Sequence, residues 1–224
     1  MVERKLTLQA GETQLIDLHG WPMRLRLPPG PGPHPVVLML HGWTGDENAM
    51  WVFAARLPAD ALLVAPRGLY PAAMGGYGWH PDQGGAWSTL EDFRLAVQKI
   101  KEVLRPENFP SADFSGLRLL GFSQGAALAY SFALLHPTLV RSLAGLSGFM
   151  PEGAESLAGS LPLRDKPVFM AHGTRDALVP VARARRAAEV LRMAGANVQY
   201  CENDVGHKLS AGCFHALQDF FERS

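Results

Sequence analysis

Ser123 sits in Gly121-Phe122-Ser123-Gln124-Gly125, a G-x-S-x-G pentapeptide between two apolar segments. Leu117 to Leu120, ahead of it, reads as a strand. Gln124 to Leu135, behind it and rich in Ala and Leu, reads as a helix. A serine on a tight strand-to-helix bend has its hydroxyl pushed out above the sheet edge. Bulky side chains at Gly121 and Gly125 would collide with neighbouring backbone. The Gln124 amide stands at the helix N-terminus, where unpaired N–H groups and the helix dipole favour negative charge. The two glycines could equally punctuate an ordinary turn, so the pentapeptide alone is only a hypothesis about nucleophilic catalysis.

A serine hydroxyl is a poor nucleophile at neutral pH and needs a base within hydrogen-bond reach. A histidine serves best, with a carboxylate holding its tautomer and stabilising the imidazolium. Ser123, Asp176 and His207 follow the chain order Ser, acid, His, each after its own expected strand. His207 follows Gly206 in a loop from which a side chain can reach over a sheet edge. Of the other histidines, His172 ends a core strand, His136 caps the serine helix and His215 lies in the last helix. His19 and His41 precede the serine. Asp176 opens Asp176-Ala177-Leu178-Val179-Pro180; its structural alternative is a turn or helix cap. Asp204, three residues before His207, is the competing acid. Asp176 is preferred because it leaves a different strand and can approach the imidazole from the side. A tetrahedral intermediate needs donors for its oxyanion, each worth roughly 3 kcal/mol. The backbone N–H groups of Gln124 and Trp43 are assigned, the latter from His41-Gly42-Trp43-Thr44-Gly45.

These groups need a frame, and the elements between them supply it. Residues 14–19 and 22–27 alternate apolar and polar about Gly20 and read as a β-hairpin. Val36 to Leu40, Ala61 to Ala65, Leu117 to Leu120, Ser142 to Ser147, Val168 to His172 and Val198 to Cys201 read as buried strands. Helices are expected near 48–56, over Thr89 to Leu104, from Gln124 to Leu135, from Val181 to Met193 and near 209–222. Strands alternating with helices imply an α/β fold, a mostly parallel sheet covered on both faces, with the hairpin antiparallel. Ligands in such folds bind beyond the carboxyl ends of the strands. Trp43, Ser123, Asp176 and His207 all fall just after a strand. Leu69 to Trp87 reads as a long loop carrying Tyr70, Tyr77, Trp79, His80 and Trp87 among glycines. Loops of that length are often functional. Trp43, Tyr77, Trp79, Phe149 and Val179 are the candidate pocket residues.

The chain has 224 residues, which suits a single domain spanning 1–224. Lys+Arg and Asp+Glu are both 21, so the net charge is zero; a nucleic-acid partner, which calls for a basic excess, is not expected. Cys201 and Cys213, with no CxxC or Cys/His cluster, read as buried thiols of a reducing compartment, with a pairing between them as the alternative. Met1 to Thr7 lacks the apolar core of a signal peptide, and no run reaches the ~18 residues of a membrane helix. The expected location is therefore cytoplasmic, without integral membrane contact. The basic residues Arg183, Arg185, Arg186 and Arg192 read as a solvated helix face. No His/Asp cluster has metal-ligand spacing. The oligomeric state is open, a homodimer included.

Leu40-His41-Gly42, Gly121-Phe122-Ser123-Gln124-Gly125, Asp176 with Val179-Pro180, and Gly206-His207 together resemble the phospholipase/carboxylesterase family, which includes the acyl-protein thioesterases. The resemblance runs from about Pro35 to the C-terminus. Gly76-Tyr77-Gly78-Trp79 is similar to the aromatic loop of its bacterial carboxylesterase branch. The resemblance implies a compact α/β-hydrolase with little lid that cleaves carboxylic esters or thioesters of acyl chains without cofactor. The substrate is then a small-molecule ester or thioester, or an acylated protein. The chain departs from the pattern in its N-terminal hairpin and in its long, glycine-rich aromatic loop. Dienelactone hydrolases share the fold but resemble a G-x-C-x-G pattern, where this chain has serine. A non-catalytic binder that kept the fold is the reading outside the enzyme class.

Overall fold

In the computed structural model, residues 9–224 are described; the Met1 to Thr7 stretch weighed above lies outside them. The chain opens with the expected hairpin, β1 (Thr13–Leu18) and β2 (Trp21–Arg26), paired antiparallel. His19 and Gly20 form its turn with φ of 54° and 77°. Two successive positive φ values match the right-handed twist of the strands they join. Next come β3 (His34–Leu40), β4 (Leu62–Pro66), the short pair β5 (Tyr70–Pro71) and β6 (Tyr77–Gly78), and β7 (Ala112–Phe122). β8 (Val140–Leu146), β9 (Pro167–Gly173) and β10 (Asn197–Asn203) complete the strands. The main helices are α1 (Arg94–Val103), α2 (Gln124–Leu135), α3 (Val181–Met193) and α4 (Ala211–Arg223).

Eight strands form one sheet in the order β1-β2-β4-β3-β7-β8-β9-β10. Every pairing from β4 to β10 is parallel, and only the hairpin side is antiparallel. The continuous apolar strands follow from cover on both faces. Val36, Leu38 and Leu40 pack one way with Val64, Leu119 and Leu143, under α1, α2 and α3. Val37 and Met39 pack the other way with Leu63, Leu120 and Ala144, under the 49–56 segment and α4. Helix α1 buries Ala96, Val97, Ile100 and Val103 on one stripe, whereas α2 is buried from Gln124 to Leu134. A helix apolar all round belongs in the middle of a core, and its alanines let it lie close to the sheet.

Several elements differ from expectation. The serine strand begins at Ala112, five residues before Leu117. Its first half is mostly half-buried or exposed and lacks the continuous apolar run of the second. The 48–56 segment is a 3-10 helix, Ala49–Arg56. Asp46 serves its start, accepting from the amides of Asn48 and Ala49 at 2.8 and 3.1 Å. The 69–87 loop is not structureless, because β5 and β6 pair within it and the Tyr77 amide donates to Gly45 O at 2.8 Å. Cys201 and Cys213 are not free thiols; they form a disulfide with Cα atoms 5.9 Å apart. Spacing could not show this, because the end of β10 and the first turn of α4 meet only in the folded chain. The cytoplasmic expectation thereby loses the support of two reduced cysteines. Among the described residues no helix is long and apolar enough to cross a membrane.

Candidate active site

The parallel registers bring Leu40, Gly121 and Gly145 side by side, and Asn203 beside Gly173. The loops that leave these strand ends carry Trp43, Ser123, Asp176 and His207 to one edge of the sheet. Ser123 has φ 54° and ψ −118°, a backbone conformation that side chains with a Cβ rarely adopt. Such a residue stores on the order of 1–3 kcal/mol and persists only where its surroundings over-determine it. Here its amide donates to Leu146 O at 2.8 Å and its carbonyl accepts from the Ala126 and Ala127 amides. A Cβ at Gly121 would run into Gly125 O, and one at Gly125 into the carbonyl oxygens of Leu40 and His41. Only glycine lets the bend sit this close to the end of β3.

His207 Nδ1 lies 2.7 Å from Asp176 Oδ2. The Asp176 carboxylate is fully buried, and its other oxygen accepts from the Leu178 and Val179 amides, each at 2.9 Å. A carboxylate can only accept, so His207 carries its proton on Nδ1 and leaves Nε2 as the basic nitrogen. Phe122 meets the His207 ring edge-on, with centroids 5.0 Å apart. Asp204, the competing acid, points to solvent and pairs with Arg175 at 2.6 Å. No hydrogen bond joins Ser123 to His207 among the described residues; both line one cavity of about 610 Å³. Catalytic hydrogen bonds are often loose without substrate.

Trp43 and Gln124 also line that cavity, and neither amide donates to a protein acceptor among the described residues. The turn that carries Trp43 is fixed by His41, buried to 1% exposure. Its Nδ1 donates to Gly42 O at 2.8 Å and its Nε2 accepts from the Gly68 amide at 2.7 Å. Burial pushes the His41 pKa below its ordinary value, consistent with a neutral ring making one bond of each kind. Beside it, Glu47 clamps Arg67 through two hydrogen bonds of 2.6 and 2.7 Å, and that pairing holds the Glu47 carboxyl below its ordinary pKa.

Of the candidate pocket residues, Trp43, Phe149 and Val179 line the cavity. Tyr77 and Trp79 do not, and the sequence reading is corrected there. Trp79 is wholly buried, donating its indole N–H to His41 O at 2.7 Å. Tyr77 lies under the Arg67 guanidinium, 4.7 Å from its ring centroid. From the same loop, Met74, His80, Asp82, Trp87 and Ser88 line the cavity instead. Trp87 packs edge-on against Phe149 with centroids 4.9 Å apart. Sequence reasoning also missed the Gln124 side chain, which accepts from the Trp79 amide at 3.0 Å and meets His80 Nε2 at 3.0 Å. It passed over His172, whose Nε2 donates to Val179 O at 2.8 Å and lies 3.4 Å from Asp176 Oδ2. Neither is marked by a motif: the Gln124 partners come from the remote 79–80 segment, and the His172 partners, four and seven residues on, meet it only because the turn after β9 folds back. Among the described residues, no group of three or more His, Cys, Asp or Glu could hold a metal ion.

Residues 28–224 match the family model described as Phospholipase/Carboxylesterase. A Kluyveromyces lactis protein named Acyl-protein thioesterase 1 is 31% identical over 172 residues, 65% of this chain and 71% of that protein. An Oryza sativa protein named a probable inactive carboxylesterase is 29% identical over 121 residues, 53% of this chain and 49% of that one. The match thus spans about half the length of the rice relative. In fold, the chain is similar to the Bacillus cereus carboxylesterase, with a TM-score of 0.78, 21% identity and 95% of each chain covered. The family model covers the strands from β3 onward, the bend and the loops that carry the site, and the chain belongs to the phospholipase/carboxylesterase family of α/β-hydrolases.

Proposed function

We propose that the protein is a serine hydrolase, acting within a single domain, that cleaves carboxylic esters of acyl chains. Ser123 is the nucleophile, His207 the general base and acid, and Asp176 the residue that orients His207. The observation that carries this reading is the 2.7 Å contact of His207 Nδ1 with buried Asp176, beside a strained Ser123 in the same cavity. Ser123 Oγ attacks the acyl carbonyl carbon while His207 Nε2 takes its proton. The oxyanion is held by the Gln124 and Trp43 amides. Collapse of the intermediate breaks the bond to the leaving oxygen, which takes the proton back from His207. Water, deprotonated by the same nitrogen, attacks the acyl-Ser123 ester and releases the acid. Each step is complete with these side chains alone, so no cofactor is invoked.

The acyl chain is placed against Trp87, Phe149 and Val179, the apolar wall of the cavity. A thioester substrate is the second reading, favoured by the thioesterase names of the yeast relatives. The same steps serve it, with a thiol as leaving group. Paired oxygen and thiol esters of one acyl series separate the two by kcat/KM. The test of the shared core is labelling with a fluorophosphonate and mapping the adduct. One adduct, on Ser123 and absent from His207→Ala, supports the reading. A folded protein that stays unlabelled and turns over no activated ester would replace it with the non-catalytic one.

A further inference from the structure

Part of the cavity lining is polar, and its hydrogen-bond directions can be assigned. His80 and Ser88 line the cavity and are each buried to 5% exposure, and Gln124 is buried to 6%. His80 Nδ1 lies 2.8 Å from Pro81 O. A carbonyl can only accept, so Nδ1 carries the proton and Nε2 is an acceptor. Gln124 Oε1 is taken by the Trp79 amide, so the NH2 end of Gln124 faces His80 Nε2 at 3.0 Å. The same nitrogen lies 2.7 Å from Ser88 Oγ. Its one lone pair is shared by these two donors, the hydroxyl being the nearer; with its single proton directed at His80, Ser88 Oγ keeps only lone pairs for a further partner. Asp82 lines the same cavity, while no lysine or arginine lines it among the described residues. The nearby Arg183 guanidinium stacks on the Trp87 ring at 3.7 Å and reaches toward Glu152 at 3.7 Å; it does not line the cavity.

We infer that the site selects esters that carry a hydrogen-bond donor and no negative charge near the scissile group. Ser88 accepts the donor, His80 and Gln124 fix the direction in which Ser88 points, and Asp82 repels an anionic substrate. The substrate class is thus a neutral or cationic ester bearing a hydroxyl or amino group, on either the acyl or the alcohol side. This deepens the esterase reading and rests on it. A neutral hydrogen bond made in the transition state, and a carboxylate met in a water-filled cleft, each alter rates by about fivefold.

Two sets of isosteric esters, followed by titration of the released acid, test it. The first varies the alcohol: the monobutanoate of propane-1,3-diol, propyl butanoate and 3-butanoyloxypropanoate. The second varies the acyl group: methyl 3-hydroxybutanoate, methyl butanoate and methyl hydrogen succinate. In at least one set, kcat/KM should fall about fivefold from hydroxyl to plain ester and about fivefold again to the carboxylate. Ser88→Ala should bring the first ratio close to one, and Asp82→Asn should bring the second close to one. The readouts are ratios within one preparation, so a general loss of rate or of folded protein cancels. Hydroxyl esters no faster than plain ones in both sets, or ratios unchanged by these substitutions, overturn the inference. Failure of the esterase reading itself looks different: no ester in either set is turned over and no adduct forms on Ser123.

Discussion

At the scale of single residues, Asp176 is the most constrained group in the site. It is buried, yet its two oxygens meet two backbone amides, His207 and the Nε2–H of His172. A carboxylate in that setting dictates which nitrogen of His207 is protonated. Asp176→Asn turns one oxygen into an NH2 that faces His207 and invites the opposite tautomer. The expected outcome is a fall of about 10³- to 10⁴-fold in kcat with KM little changed, read on an activated ester. His41 gives a residue-scale test of stability. Burial lowers its pKa, so below about 6.5 the unfolded chain binds a proton that the native chain resists. Its contribution to stability is present above pH 6.5 and is lost progressively as the pH falls from there through the lowered native pKa. Urea unfolding at pH 7.5 and 5.5 should show a decline in the wild type that is smaller in His41→Gln.

At the scale of elements, the site depends on how closely segments approach one another. The bend at Ser123 lies against the end of β3, so Gly125→Ala should destabilise the fold by several kcal/mol, seen as a lower urea midpoint with an unchanged m-value. Ile100→Ala in α1 is the contrast. It removes a fully buried side chain remote from the cavity and should lower stability by about 2–5 kcal/mol while leaving the kcat of the folded fraction intact. The disulfide closes the segment between the end of β10 and the start of α4, and His207 lies inside that closed loop. Closing a loop of this length contributes roughly 3 kcal/mol through the unfolded chain. Cys201→Ala with Cys213→Ala should lower Tm and also kcat, because the loop that presents His207 loses a tether. Wild-type activity that is insensitive to both reductant and the double substitution would show that β10 and α4 hold the loop unaided.

At the scale of the whole molecule, one sheet aligns the strand ends and one long loop lines the cavity beside them. The loop has two parts with different work. Trp79 anchors it in the core through His41 O and the Gln124 side chain, whereas the stretch 82–87 is mostly exposed and lines the cavity with Met74 and His80. Trp87→Ala should therefore shift the preferred acyl length more than it alters the rate on acetyl esters, measured across a chain-length series. Equal effects along the series would place the acyl chain elsewhere. The sequence by itself determined the alternation of strands and helices, the sheet face-to-face cover and the residues that follow each strand. These are carried by periodicity and by local backbone demands, which neighbouring residues express: a buried parallel strand must be apolar throughout, and the bend at Ser123 needs glycine on both sides. Tertiary structure alone decided what depends on distant partners. It paired Cys201 with Cys213, turned Asp204 outward and Asp176 inward, buried Trp79 against the His41 carbonyl, and set His80 between Ser88 and Gln124. Hydrogen-bond direction and burial are properties of the assembled neighbours, and no local pattern at 80 or 88 encodes which groups will arrive there.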